Sequence, residues 1–329
     1  NNIGSPMSSD GIRRATTGNM AFDTGSAERM RIDASGRVLI GTTVNRSFNT
    51  HASRLQIEGT NYSSSTVSIT NNTNDSNGAF LFLMKQRSGS SGGNTAANNG
   101  DIIGELRFSC ADGTDFNNVG ARIQVFADGS VSSNNTPTRM VFQTNSGTTA
   151  PSERLRITSF GDFRFGGVST STPGLNNSTT GCAIEPHTGS IFLSRSDGAA
   201  LYVNTNTDGS QLATFRRNGN EQGKIIAHSQ SVSYETTSDY RLKENAVGIS
   251  DGITRLKELK PYRFNFKGYT SETLDGFFAH EAQSVVPECA SGTKDEVDSD
   301  NNPVYQGIDQ SKLVPLLVAA VQELIGKVE

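Results

Sequence analysis

One alternating pattern occurs twice in the chain and limits its possible folds most strongly. Residues 28–41 read ERMRIDASGRVLIG and align without gaps with residues 153–166, which read ERLRITSFGDFRFG. In both copies apolar and polar residues alternate on either side of a glycine, which is typical of two strands joined by a turn. Each copy therefore predicts a β-hairpin. A hairpin cannot bury its apolar side alone, so stacked hairpins or other chains must cover it.

The pattern extends beyond these two copies. Residues 20–24 match residues 140–144 with one insertion, and residues 183–193 read as a looser third copy. Further alternating runs occupy residues 102–108 and 121–126. Several short strands separated by turn residues indicate a mainly β fold.

The composition limits how much core one chain can build. Hydrophobic residues make up 33% of the 329 residues, and the chain has 34 glycines and no tryptophan. A formal net charge of −4 is too small to indicate disorder at this hydrophobic content. Two interpretations remain: a sandwich domain with repeated hairpins, or an elongated, oligomeric β shaft. We favour the shaft, because oligomerisation would supply the apolar contacts that a single chain lacks.

Charge, hydropathy and cysteine spacing exclude several functions. With 29 basic and 33 acidic residues, the chain is not expected to bind nucleic acid. No apolar stretch reaches the roughly 18 residues that cross a bilayer, so no membrane insertion is expected. The cysteines Cys110, Cys182 and Cys289 lie too far apart for a disulfide framework or a metal knuckle. Because the chain begins with Asn, we expect a fragment or a processed product.

One acidic segment partly matches a calcium-binding loop. Asp298, Asp300 and Asn302 alternate, and Asp309 stands at the twelfth position. However, Pro303 occupies the position where the tight turn of such a loop needs glycine. We therefore expect a solvated acidic loop, and neither a metal nor a cofactor in this protein.

The composition changes at one point near the C-terminus. Charged residues become more frequent after Thr237, and four of the nine prolines follow it: Pro261, Pro287, Pro303 and Pro315. Such a shift predicts a domain boundary between residues 237 and 238. Residues 238–329 then form a small α+β domain.

The predicted domain, residues 238–329, has two segments with helical spacing, one near its start and one at its end. Ile253, Leu256 and Leu259 are spaced like one helix face, whereas residues 262–266 and 274–279 read as strands. The last segment has apolar residues at alternating spacings of three and four, a short coiled-coil seam: Val314, Leu317, Val321, Leu324 and Val328. This helix either docks on its own domain or packs against other copies of the chain. We favour the second interpretation.

The start of this domain resembles a known family. Residues 238–245, SDYRLKEN, are similar to the start of the endosialidase-type intramolecular chaperone, which lies at the C-terminus of many bacteriophage tail spikes and tail fibres. The similarity continues through residues 256–264, through GFFAHE at residues 276–281 and through LVPLLVAAVQEL at residues 313–324. His280 stands where relatives usually carry Gln. The repeated hairpin also resembles repeats of phage fibre shafts.

The resemblance implies an activity and its residues. Members of the family trimerise, template the upstream β fibre and then cut themselves off just before the serine of the motif. In this sequence Ser238 matches the nucleophile and Lys243 the general base, so the cleaved bond is Thr237–Ser238. The remaining motif positions that support the match are Asp239, Arg241, Glu244 and Asn245.

Simple chemistry supports this dyad and also offers another role for its first residues. A serine hydroxyl is a weak nucleophile until a base takes its proton. An amine acts as that base only when neutral, and burial favours the neutral form. Alternatively, Ser238 or Asp239 caps a short helix, since both residue types accept hydrogen bonds from free backbone N–H groups. The two roles are compatible.

The resemblance also implies a biological role. We expect a homotrimeric phage tail fibre in the virion tail, assembled in the host cytoplasm, with residues 1–167 as a β-rich shaft and residues 168–237 as a distal β tip or stem. Its expected partners are a bacterial surface glycan or protein receptor and other phage tail proteins. We place receptor contacts on loops between residues 167 and 237. The expected enzymatic activity is one self-cleavage by a serine peptidase.

Two alternatives to host recognition remain open. The fibre could be a spike that degrades polysaccharide, or a structural spacer without receptor binding. Carboxylates upstream of Ser238 are few and tryptophan is absent, so an inert binding fibre is favoured over a glycan-degrading enzyme.

Overall fold

The structure is a computed structural model that describes residues 10–48, 51–167, 172–175, 179–269 and 271–329. It is mainly β, which confirms the predicted fold class, and it has a short C-terminal helix. The chain divides into two units, Asn1–Val203 and Asn204–Glu329. This division lies at neither of the two predicted boundaries, which therefore stay predictions.

The first unit contains a five-stranded sheet with the order β1-β2-β3-β4-β7. Its neighbouring strands are antiparallel except for β4 and β7, which are parallel. A two-stranded ladder, β5–β6, lies between them in sequence, and a 3₁₀ turn follows at Tyr62–Ser65. The strands are β1 (Gly11–Thr16), β2 (Asn19–Thr24), β3 (Ala27–Ile32), β4 (Val38–Ile40), β5 (Ser47–Phe48), β6 (His51–Ala52) and β7 (Leu55–Ile57).

A seven-stranded sheet completes the first unit. Its strands follow one another in chain order, and every neighbouring pair is antiparallel. The predicted third copy of the repeat forms the hairpin of its last two strands. The strands are β8 (Ile102–Ser109), β9 (Val119–Ala127), β10 (Thr138–Thr144), β11 (Ser152–Ile157), β12 (Phe163–Phe165), β13 (Gly181–Glu185) and β14 (Ser190–Ser194).

The sequence repeat is also a structural repeat. Phe22 of β2 lies opposite Met30 of β3, and Phe142 of β10 lies opposite Leu155 of β11. In both ladders a register shift follows the phenylalanine directly. An irregularity at the same place in two copies is a built-in bend of the strand. The predicted hairpins themselves are confirmed by the next ladders, where Met30 of β3 lies opposite Ile40 of β4 and Leu155 of β11 lies opposite Phe165 of β12.

The charged residues of the repeat form the same ion pair twice. Glu28 accepts from Arg31 Nε at 2.5 Å, and Glu153 accepts from Arg156 Nε at 2.6 Å. All four side chains are largely buried, with 12–16% of their surface exposed. Paired carboxylate and guanidinium groups can be buried because each satisfies the other's hydrogen-bonding groups. The Glu-Arg-x-Arg motif therefore supplies polar contacts where apolar core is scarce.

The second unit begins with a three-stranded antiparallel sheet. It consists of β15 (Ser210–Arg217), β16 (Asn220–Ala227) and β17 (Val232–Thr236). Short helices and two-stranded ladders follow, and no described helix is both long and apolar enough to cross a membrane. These elements are α1 (Gly252–Leu256), β18 (Tyr262–Phe264), β19 (Leu274–Gly276), α2 (Ala279–Val285), β20 (Ala290–Ser291), β21 (Gly307–Ile308) and α3 (Val314–Val328), with 3₁₀ turns at Tyr240–Leu242, Pro287–Cys289 and Gln310–Leu313.

One predicted strand differs from the structure. Residues 274–279 do not form a buried strand: β19 ends at Gly276, Leu274 is exposed, and α2 begins at Ala279. The helix forms because Ala282 and Val285, one turn apart, enter the small core of this unit. The predicted strand at residues 262–266 is shorter than expected and ends at Phe264.

The core of the second unit fixes α3 against α1. A Cβ on Gly252 would lie 2.5 Å from the backbone nitrogen of Ala320, so only glycine permits this approach. The Glu323 carboxylate accepts hydrogen bonds from the backbone N–H groups of Gly252 and Ile253 and thereby caps α1. Leu316 of α3 is 2% exposed and completes the apolar cluster.

Candidate functional site at residues 237–243

The residue before the predicted nucleophile is anchored to a sheet. β17 ends at Thr236, and Thr237 continues along β16. The backbone N–H of Thr237 donates to the carbonyl oxygen of Gln222 at 3.0 Å. Its hydroxyl donates to the carbonyl oxygen of Glu221 at 3.1 Å. Two bonds to one strand thus hold the residue that carries the carbonyl of the predicted cleaved bond.

A single turn then brings the two predicted catalytic residues together. The Asp239 carboxylate accepts from the backbone N–H of Arg241 at 2.8 Å and caps the 3₁₀ turn Tyr240–Leu242. The backbone N–H of Lys243 donates to the carbonyl oxygen of Tyr240 at 3.0 Å, which closes the turn. The Lys243 side chain extends back past the turn to Ser238, where its Nζ donates a hydrogen bond to Ser238 Oγ at 2.6 Å.

The capping role of this segment belongs to Asp239 rather than to Ser238. Its carboxylate also binds the Arg241 guanidinium, with Nη2 and Oδ2 2.7 Å apart. These hydrogen bonds hold the pKa of Asp239 below its ordinary value, because both stabilise the ionised form. Ser238 Oγ therefore does not cap the turn and accepts the hydrogen bond from Lys243 instead. Of the remaining motif residues, Glu244 is exposed, and Asn245 adopts a left-handed backbone with φ of 54°.

A groove of about 210 Å³ adjoins the Thr237–Ser238 bond. Its walls come from β16, the end of β17 and residues 237–239. Besides Asp239, three charged residues line it, Glu221, Lys224 and Glu235, and Lys224 Nζ lies 3.4 Å from Glu221 Oε1. No local motif marks these three residues, because the register of β16 against β17 brings them to the junction. Ser238 and Lys243 are exposed to solvent in the single chain.

The predicted coiled-coil seam lies on the free side of α3. Ala319 and Ala320 are at most 8% exposed and face α1, so the helix does dock on its own domain. The seam residues occupy another face and are 46–77% exposed: Val314, Leu317, Val321, Leu324 and Val328. The helix therefore docks through one face and leaves a second apolar face open. That this open face joins copies of the chain stays a prediction.

Comparison with known proteins bears directly on the C-terminal segment. Residues 238–291 match the family described as "Chaperone of endosialidase". This match confirms the resemblance inferred from the motifs, and it begins at Ser238, the predicted nucleophile. No curated protein matches the chain.

Two solved structures of bacteriophage T5 are similar to this chain. One is the carboxy-terminal domain of the L-shaped tail fibre with its intramolecular chaperone domain, at 12% identity and a TM-score of 0.35, covering 96% of this chain and 83% of that one. The other is the carboxy-terminal domain of the same fibre, at 14% identity and a TM-score of 0.36, covering 50% of this chain and 76% of that one.

Proposed function

We propose that residues 238–329 are an intramolecular chaperone that joins three copies of the chain and then cuts the bond between Thr237 and Ser238. One observation carries this proposal: Lys243 Nζ lies 2.6 Å from Ser238 Oγ, at the first residue of the family match. A serine hydroxyl beside an amine is the minimal arrangement of a nucleophile and its base.

The cleavage proceeds in two steps. A neutral Lys243 amine takes the Ser238 hydroxyl proton while Oγ attacks the carbonyl carbon of Thr237. The amine then gives the proton to the backbone nitrogen of Ser238 as the peptide bond breaks and an ester forms. Water hydrolyses the ester, which leaves a carboxylate on Thr237 and a free amino group and hydroxyl on Ser238.

Assembly controls the timing of this reaction. Burial favours the neutral form of an amine, and in the single chain both dyad side chains are exposed. Neighbouring copies exclude water from the junction once they pack around it, and the neutral amine then becomes accessible. The reaction accordingly follows trimerisation. Thr237 is already held in place by its two bonds to β16.

The upstream β-rich part is proposed to be a phage tail fibre of the virion tail. The single chain exposes 24172 Å² of accessible surface, whereas a folded monomer of this mass exposes about 13,000 Å². The excess surface and the exposed seam of α3 support a homotrimer. We propose that the fibre binds a bacterial surface glycan or protein through loops before Thr237 and joins other phage tail proteins, after assembly in the host cytoplasm.

Single substitutions test the cleavage. The unchanged protein is expected to yield a C-terminal fragment that begins with Ser238, detected by mass spectrometry. Ser238→Ala and Lys243→Ala remove nucleophile and base, so we expect cutting to slow by at least about 100-fold while the trimer persists. Lys267→Ala removes an exposed lysine of the same unit and is expected to cut normally. Unchanged cutting by Lys243→Ala contradicts the proposed dyad.

A further inference from the structure

Six consecutive apolar residues, Ala79 to Met84, lie on the surface of the first unit. The two central residues, Leu81 and Phe82, are each 69% exposed, and Met84 is 83% exposed. The Phe80 and Phe82 rings stack with centroids 5.5 Å apart, so residues two apart lie on the same side. We call residues 79–84 the apolar strip. Since adjacent residues are both exposed, both sides of the strip are open to solvent except where Leu83 lies near Gly104 of β8.

The backbone of the apolar strip is also uncovered. Within the described ranges, residues 79–84 belong to no strand, and their N–H and C=O groups form no backbone hydrogen bond. The segment is nevertheless fixed at its end. Arg87 forms a double ion pair with Asp101, just before β8, and its N–H donates to Thr95. Leu83 also contacts Gly104 of β8. The strip is therefore held at the sheet, with its polar and apolar groups unpaired.

This combination specifies what can cover the strip. Unpaired backbone groups beside large apolar side chains need a partner that supplies both strand hydrogen bonds and apolar contacts. A glycan offers hydroxyl groups and small C–H faces, but it does not offer the regular row of backbone N–H and C=O groups that pairs with a strand. The neighbouring strand β8 is the end of its sheet and has exposed apolar residues of its own, Leu106 and Phe108. Every copy of the chain thus carries the kind of edge that the strip requires.

We infer that the apolar strip is an interface between copies of this chain, where it becomes a strand paired with a second copy. The accessible surface of the single chain, 24172 Å², supports this occupant, because it exceeds that of a folded monomer of this mass by several times the roughly 1,600 Å² of a standard interface. The inference rests on the proposed trimer and identifies a contact far from the α3 seam in sequence.

Hydrogen exchange of the full-length protein tests this contact directly. Amides of residues 80–84 are unpaired in the single chain, so pairing in the trimer is expected to slow their exchange at least about 100-fold. The Ser/Gly-rich loop at residues 88–94 serves as the internal reference and should exchange fast. Exchange of the strip as fast as this loop, in a trimer, overturns the inference.

A matched pair of variants provides a second readout. Phe82→Asp places a charge in the strip and should lower the resistance of the assembled protein to heat and detergent. Ser90→Asp adds the same charge in the nearby loop and should leave that resistance unchanged. An equally resistant Phe82→Asp trimer also overturns the inference. In that case normal cutting before Ser238 leaves the proposed function standing, whereas an unchanged protein that neither trimerises nor cuts overturns both.

Discussion

At the scale of single residues, Thr237 is the part of the site that the motif does not contain. Its hydroxyl and its N–H both bond to β16, which holds the residue whose carbonyl Ser238 attacks in the proposed cleavage. Holding a reacting group in place lowers the barrier, because less freedom is lost in the transition state. Thr237 is therefore a positioning residue, which acts through the geometry of the bond rather than by transferring a proton.

This role predicts different effects for two substitutions of Thr237. Thr237→Val keeps the shape but removes the hydrogen bond to Glu221, worth about 1 kcal/mol, so cutting should slow by roughly 5-fold. Thr237→Ser keeps the hydroxyl and should cut nearly as fast as the unchanged protein. The rate at which the fragment beginning with Ser238 forms is the measurement. If Thr237→Val cuts normally, the hydroxyl has no positioning role.

At the scale of elements, α3 has one buried apolar face and one exposed apolar face. Leu316→Ala truncates the buried face and is expected to destabilise the second unit by about 2–5 kcal/mol, measured by denaturant unfolding.

Val321→Asp changes the exposed seam and should leave the single chain folded, as judged by circular dichroism. It should prevent trimerisation, measured by analytical ultracentrifugation. A stable trimer of Val321→Asp contradicts the role of the seam.

Elements set by local patterns could be predicted from the sequence. The repeated hairpins follow from alternation around a turn glycine, and both copies have the pairing that their alignment predicts. The segment at residues 274–279 could not be read in this way. Its apolar run fits one strand throughout, whereas the structure ends β19 at Gly276 and begins α2 at Ala279, because Ala282 and Val285 pack in the core.

The same limit applies to the candidate site. Ser238 and Lys243 could be predicted from the resemblance to the chaperone family, and the structure adds that one tight turn brings their side chains together. The anchoring of Thr237 depends on the register of β16, which no local motif specifies. The Glu323 cap of α1 joins residues about 70 positions apart, and a single sequence contains no signal for such a contact.

At the scale of the whole molecule, the chain has much β surface and little core of its own. Strands that pair between chains form slowly and in uncertain register, because their contacts are distant in sequence. A C-terminal module that joins the copies first raises their local concentration. Under the proposed function, its later removal leaves a fibre that unfolds slowly even though it has lost the means to refold, which is kinetic stability.

The order of assembly and cutting tests this account most directly. Native mass spectrometry of freshly expressed protein, sampled over time, separates intact and cut chains in each oligomeric state. The account predicts that an intact trimer appears first and is then converted into a trimer of chains that end at Thr237. A monomer already cut before Ser238, or a stable folded monomer that never assembles, would contradict it.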